Sequence, residues 1–247
     1  MSDAINFHDT GDRRLAYRRV EGAGPTLVWL GGFGSDMDGA KAVAFDAWAR
    51  RSGRAFLRFD YSGHGASDGD FVAGTISRWR EDVLAVIDAL TEGPLILIGS
   101  SMGGWIACLV AAVRPERLAG LLLIAPAADF TSALVDAKMS DSTRRELSEN
   151  GRIDRPGAPP ITALLIEDGA RWSILPGPVP IDVPVRVLQG GQDESVPWSH
   201  ALALFQALRS TDKVFTLIDD GDHRLSRSQD LERMTAVAEE LLGALQP

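Results

Sequence analysis

A serine between glycines, a histidine and an aspartate well downstream are the residues here whose types could carry nucleophilic chemistry. Gly99-Ser100-Ser101-Met102-Gly103 has the spacing G-x-S-x-G, the turn that carries a serine from a strand into a helix with its hydroxyl at the apex. Small flanking residues let strand and helix approach without Cβ clashes. Free N–H groups at the start of the following helix favour negative charge beside Ser101. A serine hydroxyl is a weak nucleophile at neutral pH, so it needs a base, and the base needs an orienting acid.

The sequence offers four histidines. His8 lies before the sheet pattern. His64 sits among glycines in Asp60-Tyr61-Ser62-Gly63-His64-Gly65, where a mobile turn and a loop-packing role are expected. His200 falls in a helix pattern at a surface position. His223 follows the last strand, in Gly221-Asp222-His223-Arg224, and is the expected base. Asp193 follows the preceding strand at the same sheet edge and is the expected acid, although it could instead cap the helix that begins after Pro197. Asp129, also at a loop end, is the reserve acid, and Asp222 reads as a surface charge. A further loop, Gly31-Gly32-Phe33-Gly34-Ser35, directly follows a buried strand. It has no G-x-G-x-x-G opening a helix and no G-K-[ST], so a nucleotide site is not expected. Its position suits an oxyanion loop, with the backbone N–H groups of Phe33 and Met102 as the two donors.

These residues must be positioned by the elements around them. Apolar runs at 15–20, 26–30, 55–59, 95–98, 118–124, 185–188 and 214–218 read as strands, most of them buried on both faces. Helical spacing at 37–51, 75–90 and 102–113, after Pro197 and near the C-terminus fills the intervals, with Thr75 as a cap. This alternation predicts an α/β fold with a mostly parallel sheet and helices on both faces, as one domain over 1–247. From 127 to 182 no sheet strand is expected. Helices at 142–149 and 161–168 flank a breaker stretch, Arg155-Pro156-Gly157-Ala158-Pro159-Pro160, and more than fifty residues off the sheet predict a small helical lid. Trp172, Ile174 and Leu175 could line an apolar acyl pocket beneath it or simply anchor it. Arg155 and its neighbouring arginines are interleaved with Asp141, Glu146, Glu149 and Asp154, the pattern of a solvated mixed-charge surface.

The 247 residues can bury a sizeable core, and 45% hydrophobic with 24% charged residues is the balance of a soluble globular protein. A net charge of -9 argues against a nucleic-acid partner, which needs clustered Lys and Arg. The single cysteine, Cys108, excludes an intramolecular disulfide and a multi-thiolate metal site, and reads as a buried core thiol. No metal or cofactor is called for by this residue set. No apolar run is long enough to span a membrane, and residues 1–6 do not begin like a signal peptide, so a cytoplasmic protein is expected.

Over nearly its whole length the chain resembles the α/β-hydrolases, in which the triad residues follow in the order Ser, Asp, His. Four strings carry a narrower resemblance: Phe59-Asp60-Tyr61-Ser62-Gly63, Gly99-Ser100-Ser101-Met102-Gly103-Gly104-Trp105, Val196-Pro197-Trp198 and Gly221-Asp222-His223-Arg224. They are similar to the family of the mitochondrial acyl-protein thioesterase, also described as a mycophenolic acid acyl-glucuronide esterase, and its bacterial relatives. The resemblance implies a triad of Ser101, Asp193 and His223. It also implies hydrolysis of carboxylic esters or long-chain acyl thioesters, on a small molecule or an acylated protein. A serine rather than an aspartate at the elbow argues against epoxide hydrolase and haloalkane dehalogenase chemistry. Gly31 stands where many members place a histidine before the oxyanion glycine, which bears on the support of that loop and not on its backbone donor. No arginine-rich amphipathic transit peptide is evident, so a mitochondrial location does not follow. The rival reading is a ligand-binding protein on a hydrolase scaffold, with an intact triad but negligible turnover.

Overall fold

The computed structural model describes residues 4–245. Its elements are β1 (Asn6–Asp9), β2 (Arg14–Val20), β3 (Ala23–Leu30), α1 (Ala40–Ser52), β4 (Arg54–Phe59), α2 (Ile76–Leu90), β5 (Leu95–Ser100), α3 (Met102–Val113) and β6 (Leu118–Ile124). There follow α4 (Asp141–Asn150), β7 (Arg152–Arg155), β8 (Ala158–Thr162), α5 (Ala163–Ala170), β9 (Val185–Gly190), α6 (Trp198–Ala207), β10 (Lys213–Ile218) and α7 (Ser228–Ala244). Eight strands form one sheet in the order β1-β2-β4-β3-β5-β6-β9-β10. The pairings β1/β2 and β2/β4 are antiparallel and the rest are parallel. All parallel strands therefore end on one edge, and β5 delivers Ser101 to its middle.

The period of two along each strand explains why the sheet is covered twice. In β5, Leu95 and Leu97 enter a core with α2 and α3, while Ile96 and Ile98 enter another with α1 and α7. In β6, Leu121 and Leu123 take the first side and Leu122 and Ile124 the second. α2 is anchored where the sequence predicts, the Thr75 hydroxyl accepting from Arg78 N at 3.0 Å. α1 begins at Ala40, three residues later than its pattern suggests; Gly39 before it is extended, and the Met37 N–H donates to the Asp60 carboxylate at 2.6 Å.

Between β6 and β9 the chain leaves the sheet and returns to a strand that pairs directly with β6. One expectation fails here. The segment is not free of strands, since β7 and β8 form a separate antiparallel pair across the Pro156-Gly157 turn. Proline lacks a donor and is confined to edge positions. In a ladder of only two strands both are edges, and Pro159 and Pro160 coincide with the register shift between Ile153 and Arg155. α5 is correspondingly displaced to start at Ala163, capped by the Thr162 hydroxyl on Leu165 N at 3.1 Å. Among the described residues no helix is long and apolar enough to cross a membrane.

Candidate active site

Ser101 occupies a turn that only small neighbours permit. Its own backbone is left-handed, φ 54° and ψ −118°, a conformation L-residues rarely adopt outside functional turns. A Cβ on Gly99 would strike the Gly103 carbonyl, and one on Gly103 would strike the Leu30 carbonyl. The turn is closed by Ser101 N donating to Ile124 O at 2.9 Å, and Ser101 O accepting from Ala127 N at 3.0 Å.

Two further loops converge on it. His223 Nε2 lies 3.2 Å from Ser101 Oγ, and His223 Nδ1 lies 2.7 Å from Asp193 Oδ2. The Asp193 side chain is fully buried, and its oxygens take four donors: Ser195 N (2.9 Å), Val196 N (2.7 Å), Gln189 Nε2 (3.0 Å) and the His223 ring. Burial alone would raise the Asp193 pKa, but the bonds from His223, Val196 and Gln189 outweigh it and hold the carboxyl below its usual range. With Nδ1 donating to an ionised Asp193, Nε2 is left as an acceptor facing the serine hydroxyl. Sequence reasoning overlooked Gln189, a fully buried amide that follows Val187 and Leu188 near the end of β9.

The two residues expected to donate to an oxyanion share one cavity with the serine. Phe33 and Met102 line the same cavity of about 720 Å³ as Ser101 and His223. Among the described residues no protein acceptor takes either N–H. Phe130, Leu134, Val135, Pro159 and Ile161 make an apolar part of the cavity wall, and Arg155, Gln192, Glu194, Asp222 and Arg224 a polar part. The Arg155 guanidinium lies 5.7 Å from the Phe33 ring centroid and donates to the Pro159 carbonyl.

Trp172 and Leu175, offered by the sequence as pocket residues, lie outside this cavity. Trp172 Nε1 donates to Ser77 Oγ at 2.7 Å, its carbonyl accepts from Trp105 Nε1, and Arg80 stacks 4.6 Å from its ring. Leu175 N donates to Asp129 Oδ2 at 2.9 Å. Both are anchors, because their polar groups are spent on tying the segment to the body. Asp129 is also excluded as the reserve acid, its carboxylate being taken by Ser173 Oγ and the N–H groups of Ile174 and Leu175. His200 is engaged with the Ala128 carbonyl at 2.6 Å. His64 is not on a mobile turn: it is 4% exposed and touches the loop that carries Phe33.

Against known proteins, the family described as Serine aminopeptidase, S33 matches residues 25–149. The rat palmitoyl-protein thioesterase ABHD10, mitochondrial, is 36% identical over 236 residues, covering 94% of this chain and 80% of the rat protein. The chain belongs to the α/β-hydrolases. The human palmitoyl-protein thioesterase ABHD10 is 34% identical to this hydrolase over 236 residues, covering 94% of it and 77% of the human protein. Among solved structures, mouse alpha/beta hydrolase domain-containing protein 10 superposes on the hydrolase with a TM-score of 0.92 at 34% identity, covering 98% of this chain and all of that one. A putative hydrolase from Agrobacterium vitis S4 gives 0.91 at 43% identity, with 96% and 99% covered.

Proposed function

We propose that this hydrolase cleaves carboxylic esters or acyl thioesters through an acyl-enzyme on Ser101, with His223 as base and Asp193 as orienting acid. The observation that carries this reading is the unbroken chain of 3.2 Å and 2.7 Å contacts from Ser101 Oγ through the His223 ring to Asp193. Ser101 Oγ attacks the acyl carbon while its proton passes to His223 Nε2. Negative charge developing on the carbonyl oxygen is met by the N–H groups of Phe33 and Met102, reinforced by the positive end of α3. Collapse of this intermediate breaks the C–O or C–S bond, and His223 returns the proton to the departing alcohol or thiol. Water, deprotonated by His223, then attacks the acyl-enzyme and releases the carboxylic acid and the free serine. The segment between β6 and β9 acts as a lid over this cavity, and its apolar wall receives the acyl group. The relatives described as palmitoyl-protein thioesterases favour a thioester, on a small molecule or on an acylated protein.

The test is kcat/KM for a long-chain acyl thioester and a short-chain oxyester, with Ser101→Ala as the blank. Turnover in the parent, a loss of about 10³-fold or more in Ser101→Ala and an unchanged circular dichroism spectrum are expected. A variant that keeps most of its rate overturns the mechanism.

A further inference from the structure

The oxyanion loop has no ladder of its own and is held by its neighbours: the Phe33 ring packs on Phe71, Trp79 and Phe130 with centroids 5.0, 5.9 and 5.8 Å away. Residues 31–37 form neither helix nor strand, and Gly31 brings no side chain to brace it. Its backbone is held by Ser35 N on Gly32 O (3.1 Å), Met37 N on Asp60 Oδ1 (2.6 Å), Arg58 Nη1 on Met37 O (2.7 Å) and, nearest Phe33, Gly34 N on His64 Nε2 (3.2 Å). The last bond falls on the peptide adjacent to the one that carries the Phe33 N–H. On its other side, Gly34, at φ +70°, packs against Pro159 so closely that a Cβ there would strike the proline ring.

The imidazole is built into the protein to make this bond. His64 Nδ1 lies 3.2 Å from the Ser62 carbonyl, which can only accept, so the hydrogen is on Nδ1 and the lone pair on Nε2 faces Gly34 N–H. Ser62 is itself held through its N–H (2.8 Å) and hydroxyl (2.6 Å) by Asp82 of α2, which Arg13 also pairs. Tyr61, Phe71 and Trp79 surround the ring with centroids 5.7, 4.9 and 5.2 Å away.

We infer that His64 is a positioning residue: its neutral ring, by holding the Gly34 N–H, keeps the Phe33 N–H directed beside Ser101, and protonation of the ring releases the loop. The inference rests on Phe33 being an oxyanion donor, as proposed above. Protonation places a second N–H opposite that of Gly34, so two donors meet and the bond is lost. Burial pushes the His64 pKa down, against the opposing pull of the Ser62 carbonyl and Asp82, which keeps the ring neutral around pH 7. The charged and titratable groups on the surrounding elements are Asp60 and Asp68 of its own loop, and Asp70 at the turn that carries Phe71. Asp82 with Arg13 lies on the α2 side, Asp36 on the oxyanion loop, and Arg155 beyond Pro159.

Three variants and one spectrum test this. His64→Phe keeps the packing without the acceptor and is expected to lower kcat at least about tenfold, with KM changed less than about twofold. His64→Gln, whose amide oxygen can take the place of Nε2, is expected to recover to within about threefold and to lose activity less steeply in acid than the parent. A His64→Phe variant that matches the parent in kcat, or a His64→Gln variant with the parent's acid limb, overturns the inference. The ¹⁵N shifts of His64 in the full chain are expected to report a neutral ring protonated on Nδ1 at pH 7. An Nε2-protonated or charged ring overturns the inference even if His64→Phe does not fold. Ser101→Ala separates the two readings: if it retains turnover the serine mechanism fails, while the imidazole spectrum still decides whether His64 holds the loop.

Discussion

Asp193 shows how much of this site is spent on one proton's position. Four donors fix a carboxylate whose proposed task is to orient His223, and Gln189 is the donor that can be removed without touching either ring or serine. Gln189→Leu is expected to lower kcat roughly tenfold, the equivalent of one hydrogen bond to a charged group, with KM little changed in steady-state assays. The depressed Asp193 pKa has a consequence for stability. Because the folded value lies below the unfolded one, the bonds contribute fully above the usual carboxylate range near pH 4 and are lost as pH falls through the folded value. Asp193→Asn should therefore flatten the acid limb of a denaturant-measured stability curve. At the opposite extreme, burial in α3 pushes the Cys108 thiol up to about 12. An aromatic disulfide reagent at pH 8 is expected to leave the folded protein unlabelled and to take one equivalent once guanidinium unfolds it, since only the thiolate reacts.

At the scale of elements, Asp129 and Ser77 are two of the fasteners of the segment between β6 and β9. Asp129 holds three consecutive residues, Ser173 to Leu175, and Ser77 bridges the Trp172 indole to Asp168. Asp129→Ala leaves the backbone N–H groups of Ile174 and Leu175 without their acceptor and removes one of two acceptors from the Ser173 hydroxyl. It is expected to cost about 2–4 kcal/mol in urea unfolding and to speed proteolysis within 129–175. This segment is also where the sequence was least legible. β5, α3 and β6 stand where their patterns place them, because a run of apolar residues buried on two faces or a helical stripe is decided by local spacing. The β7–β8 pair depends on two short strands finding each other, and its prolines read as breakers unless the pairing is already known. Trp172 and Leu175 are apolar enough to line a pocket. Only their partners, Ser77, Trp105 and Asp129, show that they are fasteners, and those partners lie tens of residues away in sequence. His64 packs its loop as expected, but the mobile turn fails for the same reason: glycines on both sides suggest mobility, whereas Phe71, Trp79 and Gly34 enclose it. The three residues placed at the loop ends were readable because a parallel sheet gathers those ends on one edge whatever the packing.

For the molecule as a whole, the two-sided sheet makes a sharp prediction about neighbouring residues. Leu121 and Leu122 point to opposite faces of β6, and both are fully buried. Leu121→Ala and Leu122→Ala are each expected to cost about 2–5 kcal/mol in chemical denaturation. If only one of them were costly, one face of the sheet would have to be open. The adjacency of β6 and β9 has a different consequence, for descent rather than stability. Everything between them departs from one strand and rejoins at its immediate neighbour, so the excursion can lengthen, shorten or be exchanged like a cassette while Ser101, Asp193 and His223 keep their places on the sheet edge. Lineages can therefore diversify in what they admit to the cavity without re-inventing the chemistry. A protein engineer could do the same by transplanting a relative's residues between Ile124 and Val185.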